Sequence, residues 1–339
     1  MKAFSRAPLR IGIAGGGTDL DVYFKEYGGL VVNSTISLYM HCEIETIEGK
    51  DLIIFESIDL KSKSIYDSKK KIKFDGKMDL YKAVYNKIVS KYIKKKISIK
   101  LTTRSDVPMG SGLGGSSTLV VAMVKAYDTL FELKLTKREI AELSYDIERN
   151  DTNIAGGYQD QYTASYGGIN IMHFPKDDKV QINALKIKKS FLDKLEKSIL
   201  LYYTNISRSA NQIESEKNSL IHKKKSIKSM HKIKNDALEA KDAIENSDLM
   251  SLAKIISKTW QNKKNVSSMV SNEKIDNIYN LALDNGAHGA KVSGAGGGGF
   301  IFFITDLNRI SSLKRLLSKQ EGKLFPFGLE KNGVIGWKE

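Results

Sequence analysis

The sequence predicts an α+β protein built as two lobes. Segments of strand period and segments of helical period alternate in both halves of the 339 residues, the pattern of mixed rather than segregated secondary structure. The composition turns strongly helical from Ser209 to Asn285, rich in Lys, Glu, Ala, Leu and Ile. Three glycine-rich segments interrupt the pattern, at residues 14–20, 107–118 and 291–300. The expected division is an N-terminal domain, residues 1–195, and a C-terminal domain, residues 196–339.

In chain order, Lys2 to Ile13 reads as a strand interrupted at Pro8, because proline cannot donate to a ladder. Ala14-Gly15-Gly16-Gly17-Thr18-Asp19-Leu20 follows, and three successive glycines permit backbone to approach something bound. A helix is expected over Asp21 to Tyr27, then strands at Leu30 to Ser37, Met40 to Ile47 and Leu52 to Glu56. Ser62 to Lys73 reads as a lysine-rich loop before a helix over Leu80 to Tyr92. Ile97 to Leu101 alternates as a half-buried strand, and Leu119 to Phe131 is apolar enough for a buried helix.

Thr136-Lys137-Arg138-Glu139 is a capping box, opening a helix with Ile140, Leu143 and Ile147 on one face. Its polar exit, Glu148 to Asn153, leads into Gly156-Gly157-Tyr158-Gln159-Asp160-Gln161-Tyr162. Strands are expected at Gly168 to Phe174, Lys179 to Ile187 and Ser198 to Tyr203, the last opening the second lobe. After the helical stretch come a strand at Ile301 to Ile304, a helix over Leu307 to Ser318, and strands at Lys323 to Phe327 and Gly333 to Trp337.

Composition narrows the class. Hydrophobic content of 41% and only 4 prolines describe a globular chain. No apolar run approaches the roughly 20 residues of a membrane span, and the N-terminus has no signal-like apolar core. A single cysteine, Cys42, forbids an internal disulfide and suits a reducing compartment, so a cytoplasmic location is expected. The net charge of +15 invites a nucleic-acid or phosphate partner. The lysine clusters are scattered with little aromatic residue between them, however, which fits a solvated surface better than a nucleic-acid track. Arginine is the stronger phosphate clamp, and the few arginines include Arg10, Arg149 and Arg208, in or near the motifs.

Val107 to Thr118, with Gly110, Ser111, Gly112, Leu113, Gly114, Gly115, Ser116 and Ser117 at its centre, delivers the chain from a strand into a helix. Free amides and the positive end of a helix dipole make such a turn an anion site, and phosphate is the usual anion. The Rossmann reading of Gly110-x-Gly112-x-x-Gly115 fails: the acidic residue should follow a second strand, whereas Asp128 lies in the next helix. The Walker reading fails for want of a lysine, and the protein-kinase reading for want of its catalytic motifs. What remains is a phosphate loop neutralised by amides, hydroxyls and a metal ion. Ser116 and Glu148 are the candidate magnesium ligands, and Asp160 is the candidate base.

Pro108 to Ser117 resembles the central motif of the GHMP small-molecule kinases. Ala7-Pro8-Leu9-Arg10 with Gly17-Thr18-Asp19, and Lys291 to Phe300, resemble the family's first and third motifs, all three in the family's order. The resemblance implies a ribosomal-S5-like N-terminal domain and a ferredoxin-like C-terminal domain with ATP and acceptor between them. It assigns Gly110 to Ser117 to the ATP phosphates, Ser116 and Glu148 to magnesium, Asp160 to catalysis, and Arg10 to supporting Asp160 and the transferred charge. Thr18, Asp19, Gly157, Arg208, Ser293, Gly294 and Gly296 become substrate contacts.

The first motif lacks the Gly-Glu-His pattern of galactokinases, which argues against galactose. Together with Gly156 to Tyr162 and Tyr203 to Ala210, it resembles the branch that phosphorylates the anomeric C1 hydroxyl of D-glycero-D-manno-heptose 7-phosphate, toward nucleotide-activated heptose and surface polysaccharide. The expected partners are ATP, Mg²⁺ and a phosphorylated sugar, with no nucleic acid or membrane. The alternatives are a fucokinase-like anomeric sugar kinase and a non-enzymatic nucleotide- or nucleic-acid-binding protein.

Overall fold

β1 runs unbroken through Lys2–Ala14 in spite of Pro8. The strand tolerates the proline because its register against β2 (Gly29–Thr46) shifts between Pro8 and Arg10. Such a bulge absorbs a missing donor and re-aims the following side chain, and here that side chain is Arg10. β2 is likewise one strand where the sequence predicts two, irregular opposite the same bulge. A computed structural model of the chain describes residues 1–177, 179–206, 213, 215, 216, 219 and 223–339. Arg208, an expected substrate contact, lies outside them.

The first sheet has the order β12 (Ile335–Lys338), β1, β2, β5 (Ile99–Ser105), β3 (Leu52–Ser57), β4 (Ser62–Asp67), with β6 (Ile169–Phe174) paired to the first half of β2 and β7 (Gln181–Ala184) beyond it. Its pairs are antiparallel except β3 with β5. Three differences from expectation stand out. Ser62–Asp67 is a strand rather than loop, at the sheet edge where the charged Lys63 deters further pairing. The strand expected over Lys179 to Ile187 contracts to β7. Lys189–Ser198 is a helix that the pattern did not announce.

Helix α1 (Asp21–Tyr27) follows the first glycine segment, and α2 (Asp79–Ile88) passes into a π-helical turn at Val89–Ile93. Helix α3 (Gly115–Phe131) lies beneath the sheet with Val120, Val121, Ala122, Met123 and Val124 fully buried against it. Ser5 Oγ donates to the Ala122 carbonyl at 2.6 Å, tying β1 to this helix. Helix α4 (Lys137–Tyr145) carries the expected capping box from Thr136 and Glu139. Helix α5 (Gln159–Tyr166) and α6 (Lys189–Ser198) complete this lobe.

The second sheet has the order β11 (Lys323–Phe325), β8 (Ile199–Tyr203), β10 (Phe300–Thr305), β9 (Ala287–Val292), all antiparallel. Numbered within the lobe this is fourth, first, third, second, the ferredoxin-like arrangement. Helices α7 (Lys224–Glu245), α8 (Leu249–Lys264) and α9 (Glu273–Asp284) precede β9, and α10 (Ile310–Leu317) follows β10. Trp260, Tyr202, Phe303 and Leu317 form the centre of this core. The chain then returns to the first lobe. Ile36 bridges Leu329, and β12 pairs with β1 through Arg6 opposite Ile335 and Phe4 opposite Trp337. Strands β1 to β7 and the returning β12 thus share one sheet, and β8 to β11 form the other.

Helix α8 approaches β9 so closely that a Cβ on Gly289 would collide with the Ala253 carbonyl. Backbone cannot yield there as a flexible side chain would. Gly289→Ala should therefore cost about 1–3 kcal/mol of stability through overpacking, read as a lower urea midpoint. An unchanged midpoint would mean that the helix and strand can separate freely.

Candidate active site

The largest concentration of predicted residues surrounds one cavity of about 380 Å³ between the lobes. Its floor is the second glycine segment. Gly112 and Gly114 adopt φ of 81° and 78°, a region that favours glycine. A Cβ on Gly114 would stand 3.2 Å from the Asp160 carboxylate, and one on Gly112 would stand 2.7 Å from the Ser293 carbonyl. Gly114 is the N-cap of α3 and offers no side chain to the first turn. The amides of Gly115, Ser116 and Ser117 thus have neither an intrahelical acceptor nor a side-chain cap, and these residues line the cavity.

The loop is anchored at its entrance by Asp106. Its carboxylate accepts from the Tyr39 amide at 2.9 Å and from His41 Nε2 at 3.0 Å, and Arg104 lies at 3.3 Å. Burial alone would raise this carboxyl group, but the hydrogen bonds and neighbouring positive charge outweigh it and hold it below the usual carboxylate range.

Arg10 and Asp160 meet inside the cavity as a bidentate pair, Nε to Oδ1 at 2.7 Å and Nη2 to Oδ2 at 2.8 Å. Asp160 sits in the first turn of α5, where the helix dipole favours a carboxylate. Arg10 is 4% exposed and its third nitrogen, Nη1, donates to the Gly112 carbonyl at 2.7 Å and to Ser293 Oγ at 3.3 Å. One guanidinium therefore binds the aspartate, the phosphate loop and the third glycine segment together. A second carboxylate closes the other side: Ser116 Oγ donates to Glu148 Oε1, and Gln161 Nε2 donates to Glu148 Oε2 at 2.7 Å. Arg149 Nη1 stands 3.3 Å from Glu148 Oε1.

The structure distributes the remaining predicted residues unevenly. Asp19 lines the cavity, its carboxylate accepting from the Gly17 amide at 3.0 Å and the Gln159 amide at 3.0 Å. Gly157 lines it too, its Cα packed against that carboxylate, and so does Gly294. Thr18 does not: it is fully buried, its hydroxyl within donating reach of the carbonyls of Gly15 and Leu30 at 2.8 and 2.9 Å. Ser293 is fully buried behind Arg10, and Gly296 packs on Val270. Leu113 is an apolar anchor in the core, although its carbonyl receives the Arg10 amide at 3.1 Å. Thr18, Ser293 and Gly296 thus shape the loops rather than face the cavity.

Lys263 and Lys291 line the cavity without having been expected as site residues. Lys291 opens the third glycine segment and could have been noticed there. Lys263 was hidden among many lysines, but it continues the buried stripe of α8 through Leu252, Ile256 and Trp260, spaced as one helix face.

Comparison with known proteins bears on the whole chain. Residues 79–168 match the GHMP kinases N-terminal domain and residues 240–323 the GHMP kinases C-terminal domain. A D-glycero-alpha-D-manno-heptose 7-phosphate kinase of Campylobacter jejuni is 47% identical over 98% of this chain and 98% of its own. The chain belongs to the GHMP kinase family. It is an enzyme of the small-molecule kinase class and a heptose-phosphate kinase homologue, which sets aside the non-enzymatic alternative. The crystal structure of a D-glycero-D-manno-heptose 1-phosphate kinase from Bacteriodes thetaiotaomicron superposes with a TM-score of 0.85 at 37% identity, covering 99% of each chain. An L-fucokinase/L-fucose-1-P guanylyltransferase of Bacteroides fragilis is more distant, 28% identical over 89% of this chain and 34% of its own. Kinase membership implies ATP as phosphoryl donor. Among the described residues no helix is long and apolar enough to cross a membrane.

Proposed function

We propose that this kinase transfers the γ-phosphoryl group of ATP to the anomeric C1 hydroxyl of D-glycero-D-manno-heptose 7-phosphate, giving the 1,7-bisphosphate. The observation that carries the reading is the Arg10–Asp160 pair, set in a cavity whose floor is a helix start with open amides. Asp160 accepts the C1 proton: a carboxylate has about four lone-pair sites, so the two bonds from Arg10 leave it basic capacity. Arg10 orients that carboxylate and, through Gly112, holds the loop at a fixed distance from it. The open amides of α3 receive phosphate oxygens.

Ser116 Oγ and Glu148 Oε1, which touch, are hard oxygen donors of the kind magnesium takes and would hold the ion. Held there, it would supply positive charge against that developing on the departing ADP. Asp19, Gly157 and Gly294 are the acceptor contacts that line the cavity. ATP supply and the buried free thiol of Cys42 suit the cytoplasm, and the product suits nucleotide activation for surface polysaccharide.

ADP release with magnesium-ATP over free and phosphorylated hexoses and heptoses tests the reading. Heptose 7-phosphate should exceed every other acceptor in kcat/KM by about 10-fold or more. Fucose as the fastest acceptor would replace the heptose assignment.

A further inference from the structure

Helix α4 runs on into a π-helical turn, Asp146–Asp151, in which the Thr152 amide reaches back to the Ile147 carbonyl at 3.2 Å. Turns of this kind are frequent at functional sites. The charged side chains of this one divide between two directions. Asp146 and Asp151 meet Lys87 of α2 at 2.7 and 3.0 Å. Glu148 and Arg149 line the cavity instead, their side chains 1% and 10% exposed.

Arg149 Nη1 donates to the Ile154 carbonyl at 3.2 Å and stands 3.3 Å from Glu148 Oε1. Its Nη2 donates at 3.3 Å both to Ser117 Oγ and to the Gly157 carbonyl. A guanidinium is a rigid planar fork, so it sets these four partners at fixed distances from one another. It packs closely on Gly156, where a Cβ would stand 2.6 Å from Nη2. Tyr145, at the end of α4, stacks on Tyr158 with ring centroids 3.6 Å apart and planes at 12°. The segment over residues 154–158 is thus held to α4 and its π-turn at both ends.

The partners of Arg149 belong to different tasks. Ser117 and Glu148 stand on the nucleotide side, whereas Gly157 packs against the Asp19 carboxylate on the acceptor side. Each side also has anchors apart from Arg149. Glu148 is held by Ser116 and Gln161, and Asp19 by the amides of Gly17 and Gln159. What Arg149 adds is the spacing between the two sides. Phosphoryl transfer needs the attacking oxygen in line with the phosphorus, and a misplacement of about 1 Å can cost about 100-fold in rate.

The geometry points to Arg149 as a positioning residue that sets the distance between the acceptor segment, residues 154–157, and the nucleotide half of the site. Arg10 fixes the base to the phosphate loop, and Arg149 fixes the acceptor segment to that loop and to Glu148. This rests on the reading above that Gly157 and Asp19 receive the acceptor.

The test compares Arg149→Met, Arg149→Lys and Ser117→Ala with wild type. It sets kcat at saturating magnesium-ATP and heptose 7-phosphate beside two dissociation constants measured by calorimetry, one for a non-hydrolysable ATP analogue and one for the sugar phosphate. Arg149→Met should lower kcat about 100-fold, with both dissociation constants within a few-fold of wild type. Lysine, a point charge without the fork, should recover only part of kcat. Ser117→Ala should lower kcat less, and should add little in the Arg149→Met background because both changes cut one link. A methionine variant that keeps kcat within a few-fold overturns the inference and leaves the heptose-phosphate reading standing. A loss seen chiefly as weakened binding of one ligand would make Arg149 a direct contact and also overturns it, as does a fully additive effect of Ser117→Ala. A wild type that neither binds nor phosphorylates heptose 7-phosphate overturns the heptose reading, and the same comparison on its fastest acceptor then decides the inference. If Arg149→Met does not fold, Arg149→Lys and Ser117→Ala decide, and wild-type kcat in both would be contrary.

Discussion

Asp160→Asn should lower kcat by about 100- to 10,000-fold while the dissociation constant for ATP changes little. General-base removal accounts for losses of that size. The amide also replaces an oxygen that Arg10 grips at 2.7 or 2.8 Å with a group that cannot accept. A guanidinium buried to 4% exposure would then face a donor, so a small loss of thermal stability should accompany the catalytic one. Steady-state ADP release gives kcat, and calorimetric titration with a non-hydrolysable ATP analogue gives the affinity. A mutant that kept its turnover within a few-fold would remove Asp160 from the role of base, whatever became of its affinity.

Glu148→Gln should act on the other half of the site. The carboxylate is fixed by Ser116, Gln161 and Arg149, and its replacement keeps the shape but removes the charge. The expected result is a fall in kcat/KM for ATP of about 100-fold, the scale of one electrostatic stabiliser, with a rise in the magnesium concentration needed for half-maximal rate. Ser116→Ala should shift the same magnesium dependence less, since a hydroxyl is a weaker ligand than a carboxylate. A magnesium curve identical to wild type in Glu148→Gln would show that the ion is held elsewhere. Asp160→Asn and Glu148→Gln therefore separate: the first should change turnover at saturating metal, the second the metal required.

The parts of the site that were legible in the sequence share a physical reason. Glycines at 110, 112 and 114 are forced by positive φ, and a residue type that the backbone demands leaves a mark that needs no partner to be read. Asp160 could be singled out as a charge at a helix start after a glycine pair, and Glu148 only by its spacing after the phosphate loop. Side-chain direction was not legible. Thr18 and Ser293 carry hydroxyls in the right motifs, yet both turn toward the protein and hold backbone or Arg10. Lys263 was invisible because its place in the cavity depends on the third glycine segment, some thirty residues on, folding against the end of its helix. In the fold, Pro8 read as a break because a strand's tolerance of proline depends on a bulge in the pairing with β2. Ser62–Asp67 read as a loop because Lys63 and the lysines at 69–73 make the stretch polar, which an edge strand, wet on one side, tolerates.

The return of residues 335–338 to β1 has a consequence for how the enzyme comes into being. The strand that carries Arg10 is made long before β12, and until that second neighbour is made it is an open edge. At translation rates of about 5–20 residues per second, that edge stays unprotected for many seconds while both lobes are still being synthesised. Arg10 itself waits for Ser293, and the cavity for Lys263 and Lys291. A nascent chain can therefore form the first lobe early, but it holds no finished cavity until the second lobe has emerged. Chains interrupted before β12 should aggregate through β1.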